Sequence, residues 1–165
     1  IFWYSNNLKD TNIAKNKFWD AFYKYSKLNY DFLDIFSVDK LTDLCSNLIN
    51  NHSYNYNDIS VMDNLIYRIE VENVKNNNIT ELTGKLGIFH EVNINELSML
   101  TNSINNEVQT LTYYGLEKEI LQKAILESNK NGIDRIVPVG QALDIGLIWD
   151  GYDLIYSLSR IINTN

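Results

Sequence analysis

The fold is decided by Leu86-Gly-Ile-Phe-His-Glu-Val92, the Asn93-Ile-Asn-Glu96-Leu-Ser-Met-Leu100 that follows, and Val108-Gln-Thr-Leu-Thr-Tyr113. The first run is short, apolar and β-rich, and reads as a strand. Asn93 with Glu96 three residues on has the form of a capping box, opening a helix that carries Leu97, Leu100 and Ile104. Val108–Tyr113 reads as a second strand, broken by Gly115. Leu116, Ile120, Leu121, Ala124 and Ile125 recur at helical spacing, and Gly132 suits the stop of that helix. Ile133–Val139 is a third strand, and Pro138 confines its pairing to an edge or terminal position. Strand and helix alternate, so the expected class is α/β: a layered sheet with much parallel pairing and helices on both faces.

Upstream, Ile1-Phe-Trp-Tyr4 reads as a buried strand. Asp10-Thr11 offers a cap for a helix bearing Phe18, Trp19, Phe22, Tyr25 and Leu28. Ser37 offers a cap for a second helix, whose Val38, Leu41, Leu44, Cys45, Leu48 and Ile49 form one apolar stripe. Asn-rich sequence from Asn50 to Asp58 predicts a loop, as does Asn76-Asn77-Asn78. Leu65, Tyr67, Ile69 and Val71 alternate with Arg68, Glu70 and Glu72, the pattern of a half-buried strand. Leu154–Ile162 predicts a last helix, or a helix passing into an edge strand. The expected domains are a body over 1–150 and a helix or strand tail over 151–165. Because the opening strand reads as if entered in mid-course, an N-terminal part of a longer protein is expected before Ile1. The alternative is a complete domain from which a tag was removed.

With 45% hydrophobic residues, the 165-residue chain has enough apolar sequence for a real core. A net charge of -7 argues against a nucleic-acid footprint or an anionic membrane surface as partner. No apolar run approaches the roughly 20 residues of a membrane-spanning helix. One cysteine cannot build a disulfide framework and suits a reducing cytoplasm.

Chemistry-bearing motifs are sparse. The seven glycines form neither GxGxxG nor a Walker pattern. His52 and His90 lack metal-ligand spacing. Cys45, on the apolar stripe, is expected to be structural rather than a nucleophile. His90 is expected to be a hydrogen-bonded structural histidine. Trp19 and Phe22 belong to the core. Trp149 stands in the Gly-rich tail segment. Arg135 has the chemistry to pair an acidic group or hold a phosphate, and Asp150-Gly151 to shape a turn; structural roles are expected for both.

Three segments carry a resemblance: Gln109-Thr-Leu-Thr-Tyr-Tyr-Gly115, Gly132-Ile-Asp-Arg-Ile-Val-Pro-Val-Gly140 and Trp149-Asp-Gly-Tyr-Asp-Leu-Ile155. In order and spacing the chain resembles the bacterial long-chain fatty acyl-CoA reductases of the bioluminescence (LuxC) type, from about Gly84 to Ile162. That family belongs to the aldehyde-dehydrogenase-like superfamily. The resemblance implies a post-nucleophile catalytic subdomain forming the C-terminal third of an NADPH-dependent enzyme. Such an enzyme reduces a fatty acyl group, delivered as acyl-CoA or by an acyl-transferring or synthetase subunit, to the aldehyde through a cysteine thioester. It also implies a nucleophile before residue 1, so that no catalytic residue is expected within the chain, and a terminal segment that serves homo-oligomerisation. Glu81-Leu-Thr-Gly84-Lys85 resembles the superfamily's Glu-x-Phe-Gly-Pro, with Thr83 and Lys85 replacing Phe and Pro, which makes Glu81 the candidate cofactor contact. No metal is implied. The reading from a different class is a stand-alone α/β interaction module without catalysis.

Overall fold

The computed structural model describes residues 1–50, 56–72 and 79–164, so His52 and Asn76–Asn78 lie outside the described residues. It is mixed α/β and divides into two compact units, Ile1–Ser103 and Ile104–Asn165.

The first unit runs β1 (Phe2–Tyr4), α1 (Leu8–Asn29), α2 (Ile35–Asn50), β2 (Tyr56–Met62), β3 (Ile66–Val71), a 3-10 turn (Ile79–Leu82), β4 (Ile88–Ile94) and α3 (Leu97–Asn102). The sheet order is β1-β4-β3-β2. β4 is parallel to both β1 and β3, while β2 and β3 form an antiparallel hairpin. The parallel pairing expected from the alternation of elements is therefore present, and one hairpin makes the sheet mixed.

Parallel strands need both faces covered. α1 covers one face. Its Phe18, Trp19 and Phe22 meet Trp3 of β1 and Phe89 of β4 in a chain of ring contacts with centroids 5.2–5.9 Å apart. Trp19 is 1% exposed, as its place in a core requires. α1 begins earlier than Asp10-Thr11 suggests. Asn7 is the cap, accepting from the Lys9 N–H, and Asp10 instead accepts from the Asn7 amide.

Other boundaries also move. α2 starts at Ile35, ahead of Ser37. Tyr56–Asp58 belongs to β2 rather than to a loop, because Tyr56 and Asp58 pair with Val71 and Glu70. The capping box at Asn93 does not form. β4 runs on to Ile94, Glu96 occupies the cap position without a side-chain bond, and the Asn93 amide donates to Glu70. β3 is half-buried as its alternation predicts, with Ile69 and Val71 buried and Arg68 and Glu70 partly exposed on the side toward α1.

The second unit contains β5 (Thr110–Tyr113), α4 (Lys118–Glu127) and β6 (Arg135–Pro138), a β-α-β unit with its strands parallel. Pro138 is the last residue of its strand, where the missing N–H is tolerated. Gly132 does not terminate α4, which ends at Glu127 with Ser128 as cap. Its glycine requirement lies elsewhere. With φ +136°, a Cβ would collide with the Asn105 carbonyl. A short hairpin, β7 (Ile148–Trp149) with β8 (Tyr152–Asp153), leads into α5 (Leu154–Leu158), which stops well short of Ile162. Residues 151–164 are part of this unit.

Candidate functional site

The parallel β1–β4 register, Phe2 against Val92 and Tyr4 against Ile94, brings the start of the chain beside residues about 90 positions away. On the sheet face opposite α1 this pairing encloses a half-open cavity of about 200 Å³. Ile1, Phe2, Ile88 and Val92 form its apolar walls, with Ile79 and Leu82 of the 3-10 turn and the backbone of Gly84. Gly84 is required there, since a Cβ would overlap the Ile88 carbonyl.

His90 lines this cavity and is 5% exposed. It is buried as expected, but neither ring nitrogen makes a well-aligned hydrogen bond. Burial pushes its pKa below the ordinary histidine value, and the nearby Leu82 backbone only partly opposes this. The ring is therefore neutral near pH 7, offering one donor and one acceptor. Glu81 is exposed on the 3-10 turn, between Ile79 and Leu82, and its own side chain is not part of the cavity wall.

The other face of β4 carries a cluster that sequence reading missed. Glu91, 1% exposed, accepts from Arg68 Nε at 2.5 Å and from the Trp3 indole at 2.5 Å. Lys15 of α1 lies 3.8 Å from Glu91 and 3.2 Å from Glu70. Two cations and two carboxylates thus neutralise one another beneath α1, with Arg68 also 5.0 Å from the Trp19 ring. The signal available was the Arg68, Glu70 and Glu91 set. Nothing local pointed to Lys15.

A second buried lysine was also missed. Lys40 of α2 is 0% exposed, and its ammonium donates to the Asn64 and Leu65 carbonyls at the β2–β3 turn. It lies 5.0 Å from the Phe32 ring and 4.8 Å from the Tyr67 ring. Desolvation lowers its pKa to about 8. From α1, Tyr23 donates to Asp63 at the same turn, and Lys27 pairs with Asp63 at 3.7 Å. Both helices therefore grip this hairpin.

The remaining candidates lie apart. Cys45 is exposed, not buried on an inward stripe. In the second unit Arg135 pairs no acid among the described residues. It donates to the Ala142 and Asp144 carbonyls at 2.7 and 2.9 Å and stacks on Trp149 at 4.4 Å. These contacts clamp the 139–149 segment to β6 and occupy the guanidinium. Asp150 sits at φ +52° at the tip of the β7–β8 hairpin and accepts from the Gln109 amide. Both are structural residues of the tail segment. Among the described residues no His, Cys, Asp and Glu group could hold a metal ion, and no helix is long and apolar enough to cross a membrane. What fold and site together define is a mixed α/β protein with a small half-open cleft beside β4, where apolar side chains stand among His90 and exposed backbone. No family model matches the chain, and no curated protein or solved structure does.

Proposed function

We propose that the chain is the post-nucleophile part of an aldehyde-dehydrogenase-like catalytic subdomain, from an NADPH-dependent reductase that converts long-chain fatty acyl groups to aldehydes. The observation that carries this reading is the cleft where Ile1–Phe2 meets the Glu81–Gly84 segment. Covalent acyl reduction needs a thiol and a dinucleotide's reactive end side by side. The resemblance puts the thiol just before Ile1 and the ribose contact at Glu81.

The fit to a dinucleotide within these residues is confined to that rim. Glu81 offers an exposed carboxylate able to accept from ribose hydroxyls, and Gly84 lets the backbone pack closely behind it. NADPH, when bound, supplies the hydride. The apolar walls at Phe2, Ile79, Leu82 and Ile88 keep water from the reacting thioester. A neutral His90 avoids placing a positive charge there. The outer surface of α2 gives Cys45 no place in this chemistry.

The test is NADPH-dependent aldehyde formation from long-chain acyl-CoA, assayed for this chain and for the chain extended upstream in its gene. The 165 residues alone should not turn over. The extended protein should, with Glu81→Gln raising KM for NADPH by about tenfold, the cost of one charge-assisted hydrogen bond. Aldehyde formation by the short chain would overturn the proposal, as would an unrelated domain upstream.

A further inference from the structure

α2 is mounted inside out. Placed at 100° per residue, Leu41, Cys45, Val38, Ile49 and Ile35 share one arc of about 120°. That arc points away from the first unit. Ile35, Val38, Leu41 and Ile49 are 59%, 60%, 55% and 62% exposed, and Cys45 is exposed between them. The inward side holds Lys40 and Leu44, both buried. Burial of Lys40 against the β2–β3 turn fixes this orientation, so the apolar face is held outward on a rigid helix.

The charges around the face are one-sided. Asp31, Asp34 and Asp39 are exposed at the start and rim of the helix. The helix's only lysine is the buried Lys40, and Asp43, behind the face, lies 3.9 Å from Lys85. A second copy packed with its helix parallel would set aspartates against aspartates, and an anionic bilayer would be repelled in the same way.

We propose that the outward face of α2 is a docking surface for a basic amphipathic helix of another protein. The partner lays an apolar stripe along Val38, Leu41, Cys45 and Ile49 and sets lysines or arginines against Asp34 and Asp39. The 16-residue helix offers a seat about 24 Å long, enough for four turns of the partner. This inference does not depend on the reductase reading.

The test uses the 165-residue chain and a fluorescein-labelled synthetic helix of about 18 residues, with leucines on one face and lysines elsewhere. Its counterpart carries glutamates in place of the lysines. Fluorescence anisotropy should show the lysine peptide binding about tenfold or more tighter than the glutamate peptide. Binding should also shield Cys45 from iodoacetamide. Val38→Asp with Leu41→Asp should weaken binding by about tenfold or more while circular dichroism stays unchanged, since both side chains are exposed. Asp34→Lys with Asp39→Lys should reverse the preference between the two peptides. Equal binding to the Val38→Asp/Leu41→Asp variant would reduce the effect to general acidity and overturn the proposal. So would a Cys45 thiol that resists iodoacetamide in the chain alone, because the face would then already be covered. A concentration-dependent dimer cross-linked through Cys45 would assign the face to a second copy. Vesicle binding lost in the same double variant would assign it to a bilayer.

Discussion

Glu91→Gln keeps the shape of the most enclosed carboxylate in the ion cluster but removes its charge and turns one of its two accepting oxygens into a donor. In the native protein Lys15 and Arg68 face Glu70 and Glu91, two positive against two negative, inside a layer where Glu91 and Lys15 are 1% and 4% exposed. The substitution leaves one uncompensated cation there. Breaking a buried pair by removing one partner costs about 3–5 kcal/mol. The lower end is taken as a floor, because Glu70 is partly exposed and stays close to Lys15, while a glutamine oxygen kept on Trp3 turns its NH2 toward the Arg68 donor. For a urea slope of about 2 kcal/mol/M, a loss of about 3 kcal/mol moves the midpoint down by about 1.5 M. Trp3 and Trp19 report on this unit and Trp149 on the other, so tryptophan fluorescence in a Trp149→Phe background isolates the transition. Lys15→Met added to Glu91→Gln restores neutrality and should recover about 1 kcal/mol or more relative to additivity. A Glu91→Gln midpoint within about 0.3 M of the parent would refute the account. Strict additivity in the double variant would do the same.

Lys40 makes a prediction of opposite sign to that of an ion-paired lysine. Its folded pKa of about 8 lies below the ordinary 10.5, so the fold disfavours the charged form below pH 8. Stability should rise between about pH 8 and 10.5, where the unfolded chain still holds the proton, with a slope of at most about 1.4 kcal/mol per pH unit. The difference in unfolding free energy between the native chain and Lys40→Met should show that rise, and a flat difference would argue against a desolvated ammonium. The His90 pKa is also lowered by burial, so stability should fall as pH drops below the ordinary value of 6.5, and His90→Phe should blunt that acid loss in a urea series. Arg135→Lys loses the planar stack on Trp149 and one of two carbonyl bonds; Trp149 fluorescence should shift, and the second unit should lose about 1–2 kcal/mol in denaturant titration. Gly132→Ala meets both a left-handed φ and the Asn105 carbonyl and should cost about 2 kcal/mol or more, whereas Gly140→Ala, with open space around it, should cost about 1 kcal/mol.

Which parts of the structure the sequence revealed depends on how far each interaction reaches along the chain. β3, β4, β5 and β6 lie close to where the alternation and the apolar runs put them, because strand patterning is local. Caps were less legible, since a polar residue near a helix start has several partners to choose from. Asn93 bonds Glu70 across the sheet instead of capping α3, and Asn7 rather than Asp10 caps α1. For α2 periodicity revealed a stripe but not which way it faces. The orientation is set by Lys40 reaching two turn carbonyls 24 and 25 residues away, a contact no window of sequence contains. At the cleft, Glu81 and Gly84 stood out only through the resemblance to Glu-x-Phe-Gly-Pro. The role of His90 emerges only from the β1–β4 pairing, 89 residues apart, that builds a wall beside it.

That pairing also ties the two faces of β4 together. Ile88, His90 and Val92 look into the cleft, while Phe89, Glu91 and Asn93 look toward α1. β1 repeats the division in miniature, with Phe2 on the cleft side and Trp3 on the ion-cluster side. The Trp3 indole bond to Glu91 therefore fixes the position of Phe2, because neighbouring strand residues share one backbone and point to opposite faces. A three-residue strand has little ladder of its own to hold it against β4. The buried carboxylate on one side of the sheet is thus what keeps the apolar wall in place on the other. Loosening Glu91 should open the cleft before it unfolds the unit, and amide exchange at Val92, whose N–H donates to Ile1, should rise ahead of exchange at Tyr67 in β3.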